Sequence, residues 1–126
     1  MRMRARASFS FLFLFALILA LALIVTYLIY IIYSTSIDRY YIGYSSDPWR
    51  RLEQHNTNTS DNYTGQTKDW QLKAVFRVFS SEGDAIKIER FLKKQKSRNL
   101  IERMCADDFE PTGMLAQLVR VPHVRD

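Results

Sequence analysis

Tyr30, Tyr41 and Arg51 stand eleven and ten residues apart, a spacing that lets two phenols and a guanidinium meet one phosphodiester. A phenol can relay a proton, and the planar fork of arginine grips two phosphate oxygens where the ammonium of lysine offers only a point charge. His55 follows Arg51 by four positions, so on a helix the two side chains share one face. Phosphodiester hydrolysis calls for a base to activate water, a cation to spread the growing charge and help for the departing oxygen. These residue types answer part of that need.

The segments around these residues have distinct local signals. Residues 27–34 are rich in β-branched and aromatic side chains and predict a buried strand. A short polar stretch, 35–39, predicts a hairpin connection to a return strand over 40–44. Gly43 inside that strand either weakens it or permits close approach of another backbone or a ligand. Asp47 as N-cap and Pro48 at the first helical position predict a helix over 48–56, with Trp49 and Leu52 on its buried side. Residues 57–68 are polar and read as a flexible loop. Residues 70–79 alternate, so that Trp70, Leu72, Ala74, Phe76 and Val78 point one way in a third strand with one covered face. Ser81 and Asp84 have the spacing of a capping pair, opening a second helix with Ala85, Ile88 and Leu92 as its apolar stripe. Ser97 caps a short third helix through Met104. Together these elements predict an α+β fold: a three-stranded antiparallel sheet flanked by two or three helices, preceded by an N-terminal hydrophobic helix.

Five spaced positions, Tyr30, Tyr41, Arg51, His55 and Glu89, resemble the catalytic half of the GIY-YIG nucleases, over residues 27–104. The resemblance is to the small stand-alone bacterial type. Leu28-Ile29-Tyr30 stands where the eponymous glycine-isoleucine-tyrosine would be, and Tyr41-Ile42-Gly43 matches the second half. The resemblance implies Tyr30 as general base or relay for the attacking water, and Tyr41 as the group that orients water and phosphate. It implies Arg51 as the phosphate clamp, His55 as a partner of the phosphate or the base, and Glu89 as the ligand of one divalent cation, Mg²⁺ or Mn²⁺. Such an ion prefers oxygen and keeps several waters, so one carboxylate plus substrate suffices. An ordinary tyrosine titrates near ~10, so Tyr30 needs a nearby cation or hydrogen bond to act as base at neutral pH. The implied function is a metal-dependent endonuclease hydrolysing DNA phosphodiester bonds.

Charge fits a phosphate partner without demanding one. The net charge is +5; residues 26–106 carry 13 Lys/Arg against 9 Asp/Glu, and residues 107–126 carry 2 against 4. Arg50, Arg51, Lys93 and Lys94 are the candidate contacts to the DNA backbone, within a basic run that includes Lys87, Arg90, Lys96 and Arg98. Nothing in the chain looks like a base-reading module. A single cysteine, Cys105, excludes an internal disulfide and offers no zinc-ligand spacing.

Three regions follow: a signal-like or transmembrane segment over 1–25, a nuclease-like domain over 26–106 and an irregular tail outside the core over 107–126. Arg2, Arg4 and Arg6 precede an uncharged stretch, residues 9–25, which makes the membrane a second partner. As a helix that stretch spans about 25 Å at ~1.5 Å per residue, slightly short of a ~30 Å hydrocarbon core. The enzyme is membrane-associated if this segment is part of it and cytoplasmic if translation starts near residue 26. The tail from 115 to 122 is similar to translated transfer-RNA reading frames.

Each residue also has a plainer reading. Strand tyrosines usually pack, Glu89 and Lys93 are spaced as a helical ion pair, and Trp49 and Trp70 read as core. Two rival functions stand beside hydrolysis: a non-catalytic nucleic-acid-binding protein with the nuclease fold, and a small membrane-anchored protein.

Overall fold

The computed structural model describes residues 10–18, 26–58, 63–78 and 81–122. Residues 10–18 are helical (α1), and their apolar side chains, Phe11 to Phe15 with Leu17 and Ile18, are exposed. The basic lead and the remainder of the 9–25 stretch lie outside the described residues. Among the described residues no helix is long and apolar enough to cross a membrane.

A hairpin forms the centre of the domain. β1 (Tyr27–Ser34) and β2 (Arg39–Ser45) pair antiparallel, with Tyr30 opposite Gly43 and Ile32 opposite Tyr41. The turn between them places Asp38 at φ 51°, a conformation that aspartate tolerates better than most residues. Tyr33 donates to the Asp38 carboxylate at 2.6 Å, and Arg98 Nη2 reaches the same oxygen at 2.6 Å. The turn is thereby tied to the last helix.

β3 (Trp70–Val78) joins the other edge of β1, and β4 (Leu118–Arg120) joins β3, giving a four-stranded antiparallel sheet in the order β2-β1-β3-β4. The expected sheet had three strands. The fourth comes from the region expected to lie outside the core: Leu115 and Leu118 are buried among its residues. Arg120 explains why so short a strand is held. Its guanidinium donates to the carbonyls of Met104, Cys105 and Ala106 at 2.7–3.1 Å, satisfying the open end of a helix. It also lies 5.4 Å from the ring centroid of Phe76, its partner across the sheet.

The alternation read for residues 70–78 is interrupted. Ile31 pairs with Ala74 but Ile32 pairs with Leu72, so Lys73 is a bulged residue. Each side chain before the bulge therefore turns to the opposite face. Trp70 and Leu72 pack with Leu28, Tyr30 and Ile32, while Ala74, Phe76 and Val78 pack with Ile29 and Ile31.

Helices cover both faces. α2 (Pro48–Thr57) packs near Tyr30 and Trp70, and its N-cap Asp47 accepts from Arg50 N at 3.1 Å. α3 (Glu82–Gln95) and α4 (Arg98–Cys105) cover the other face through Ala85, Ile88, Leu92, Ile101 and Met104. Ser81 and Ser97 cap them by accepting from Asp84 N and Leu100 N at 3.2 and 3.1 Å. Trp49, expected on the buried side of α2, is 43% exposed; Leu52 packs inward as expected, and Pro48 and His55 are the buried residues of this helix. The loop after α2 contains a 3₁₀ turn, Tyr63–Gln66, pinned where Trp70 Nε1 donates to Thr64 O at 3.0 Å.

Candidate active site

The pairing of β1 with β2 gathers the tyrosines. Tyr41 and Gly43 lie two apart on β2 and so share a face, and Tyr30 comes from the opposing strand onto the same face. Tyr30 lies directly over Gly43. A Cβ built on that glycine would fall 2.5 Å from Tyr30 Cζ, closer than packed atoms allow. The glycine therefore makes room for the phenol, and close approach is the reading that the strand glycine satisfies.

His55 reaches the same point from α2. Its Nε2 lies 2.8 Å from Tyr30 Oη, with Tyr30 1% and His55 4% exposed. Both rings are held neutral. Burial pushes the Tyr30 phenol up to about 12; the Arg51 guanidinium opposes this, while Tyr41 and Glu89 add to it. Burial, aided by the positive Arg51, lowers His55 to about 4. A neutral phenol beside a neutral imidazole forms one hydrogen bond whose proton can sit on either partner. The Tyr41 ring meets His55 edge-on at 5.1 Å.

Arg51 is exposed on α2 and its Nη1 donates to Gln54 Oε1 at 2.7 Å. It shares a pocket of about 500 Å³ with Tyr41, His55, Gln54, Thr57, Asn58, Tyr63 and Thr64. Tyr30 closes the site from behind, through His55. Glu89 comes from α3 on the opposite side. Its carboxylate influences Tyr30, and its ion pair with Lys93 at 2.7 Å carries an ammonium that stands 5.0 Å from the centroid of Tyr41. Tyr41, Arg51 and His55 thus share one pocket with Tyr30 bonded to His55, whereas Glu89 lines none of the pockets described and reaches the Tyr41 ring through Lys93.

The remaining candidates divide. Lys93 borders this region, whereas Lys94 is exposed elsewhere on α3 and lines neither pocket beside Tyr41. Arg50 lines a separate cleft with Leu52, Glu53 and Asn56. Among the described residues no group of three or more His, Cys, Asp or Glu side chains converges as a metal cage. Glu89, with 16% of its side chain exposed and a cation already at 2.7 Å, has the chemistry of a single-carboxylate site completed by water and phosphate.

Tyr63 is the residue that sequence reasoning missed. It stacks on Tyr41 with centroids 6.0 Å apart and planes at 28°, and it borders both pockets beside that ring. Its signal was a lone aromatic in an otherwise polar loop. Asn56 was missed as well; it bonds both the N–H and the C=O of Trp70, at 2.8 and 3.0 Å, fastening the end of α2 to β3.

The comparison with curated proteins returns no match. The family model described as the GIY-YIG catalytic domain matches residues 26–102.

Proposed function

Since the chain belongs to the GIY-YIG family and is an enzyme of that nuclease type, we propose that it is a metal-dependent endonuclease hydrolysing DNA phosphodiester bonds by in-line attack of water. The observation that carries this reading is the 2.8 Å contact between two neutral groups, Tyr30 Oη and His55 Nε2, behind a pocket that also holds Arg51.

Tyr30 accepts a proton from the attacking water as it passes its own to His55 Nε2, leaving hydroxide to form the new P–O bond and imidazolium on His55. A phenol at about 12 cannot ionise beforehand at neutral pH; coupling the two transfers avoids a free phenolate. The negative phosphate offsets the burial and the Arg51 charge that hold His55 neutral in the free enzyme. Arg51 exchanges Gln54 for two non-bridging phosphate oxygens, and Tyr41 orients the water and the phosphate. Glu89 would hold Mg²⁺ or Mn²⁺, which supplies Lewis-acid stabilisation of the departing 3′ oxygen. Arg50, Arg51, Lys93 and Lys94 contribute sequence-independent attraction to the DNA backbone.

Cleavage of supercoiled and branched DNA tests the reading. Tyr30→Phe, Arg51→Ala and Glu89→Ala should each lower the rate by about 10²–10⁴-fold while the chain stays folded by circular dichroism. DNA binding without product in the parent chain, under Mg²⁺ and Mn²⁺ alike, would make it the non-catalytic binder.

We further infer that residues 9–25 place the enzyme at a lipid surface. The support is the exposure of Phe11, Leu12, Phe13, Leu14 and Phe15 on a helix that presents them to no core. Fractionation of the tagged full chain and of residues 26–126 should put only the former with membranes. A cytosolic full chain would refute the anchor and leave the nuclease reading intact.

A further inference from the structure

The Glu89–Lys93 pair stands where the proposed metal site would be. An exposed helical ion pair contributes little, and its partners exchange freely with water. This pair differs in two respects. The carboxylate is mostly buried, with 16% of its side chain exposed against 44% for Lys93, and the ammonium is placed by a second contact, the face of Tyr41 at 5.0 Å. A positive charge thus already sits between the carboxylate of α3 and the β2 tyrosine of the site.

We propose that Lys93 is a displaceable counter-cation: it neutralises Glu89 in the metal-free enzyme and yields that carboxylate when a divalent ion binds. This rests on the reading of Glu89 as the metal-holding residue. An ammonium and a divalent ion held by one carboxylate repel each other at this distance, so each weakens the other's hold on Glu89. Arginine could keep one oxygen through its fork, but the compact ammonium on a flexible four-carbon stem can leave. A destination adjoins it. Lys93 already lines a pocket of about 550 Å³ with Tyr40, Tyr63, Lys96, Arg98 and Asp38, and Asp38 there is engaged by Tyr33 and Arg98. Loading of the metal and freeing of a cation for the substrate backbone would therefore be one event. Linkage makes the competition reciprocal: whatever holds Lys93 on Glu89 weakens metal binding by the same factor.

Binding of Mn²⁺ to the full chain without DNA, followed by calorimetry and by loss of the free-ion electron paramagnetic resonance signal, tests this without reference to activity. Lys93→Met keeps the length of the side chain and removes its charge. It should tighten Mn²⁺ binding on the order of tenfold and enlarge the stabilisation that Mn²⁺ gives in thermal unfolding. Its melting in the presence of a chelator should lie below the parent's, because the mostly buried carboxylate has lost its counter-charge, and Mn²⁺ should narrow that gap. Lys93→Arg, which retains the charge, should bind no tighter than the parent. Equal or weaker binding by Lys93→Met overturns the proposal, provided that Glu89→Gln abolishes binding in the same assay. If Glu89→Gln binds as well as the parent, the metal assignment itself fails, and Lys93 with it.

Discussion

The two faces of the sheet are built from different materials. Between the sheet and α3 and α4 lie Ile29, Ile31, Phe76, Val78, Ile88 and Leu92, a dry apolar layer with no fully buried titratable group among the described residues. Beneath α2 lie Tyr30 and Trp70, which face His55 of the helix itself, and the polar atoms of these three must find partners. The same strand supplies both layers, since successive side chains of β1 point to opposite faces. The dry face supplies stability through apolar burial, which is not directional. The other holds polar groups away from water, an arrangement that costs stability unless each is bonded. The buried Tyr30–His55 pair therefore lies on the α2 side of the sheet, while α3, on the other side, contributes Glu89 and Lys93 as well as apolar burial.

That division can be broken or sharpened. The largest expected effect belongs to the dry face: Phe76→Ala should cost about 3–5 kcal/mol in urea unfolding. A loss under ~1 kcal/mol would mean that this layer is not what holds the fold.

Next comes His55, whose effect depends on pH. Its folded pKa, about 4, lies below its ordinary value, so between about pH 6.5 and pH 4 the unfolded chain binds the extra proton. Stability contributed by the neutral ring is full above pH 6.5 and is lost as pH falls through that window, by up to about 3 kcal/mol. Unfolding of the parent compared with His55→Gln across pH 4–8 should show this slope only in the parent. Parallel curves would place the imidazole in water rather than against Tyr30.

The smallest stability change is expected for Gly43→Ala, at about 1–3 kcal/mol. Its sharper readout is cleavage, since displacing the Tyr30 ring even slightly should cost about 10²-fold. A fully active variant would show that Tyr30 need not sit against β2.

Capping explains why much of this was legible beforehand. Asp47-Pro48, Ser81 and Ser97 act within a single turn, and each caps the helix that its sequence context announces. Tyr41, Arg51 and His55 line one pocket because a tight hairpin followed at once by a helix leaves little freedom in placing them. The misreadings share a cause. The Lys73 bulge depends on how β3 meets β1, which no alternation within β3 can reveal. Trp49 has the residue type of a core side chain, yet the helix turns His55 inward beside Leu52 and leaves the indole 43% exposed. β4 was invisible as a three-residue strand; what holds it is Arg120 reaching the carbonyls of α4.

The amino-acid order by itself determined β1 to β3 and α2 to α4, where those helices begin and which residue types are available for catalysis. Only the tertiary structure decided that the Tyr30 phenol occupies the gap above Gly43, that Tyr63 leans on Tyr41 and that an ammonium faces the Glu89 carboxylate. The reason is range: caps and periodicity act over a few neighbouring residues, whereas these contacts join strands, helices and a loop whose meeting depends on sheet register and packing.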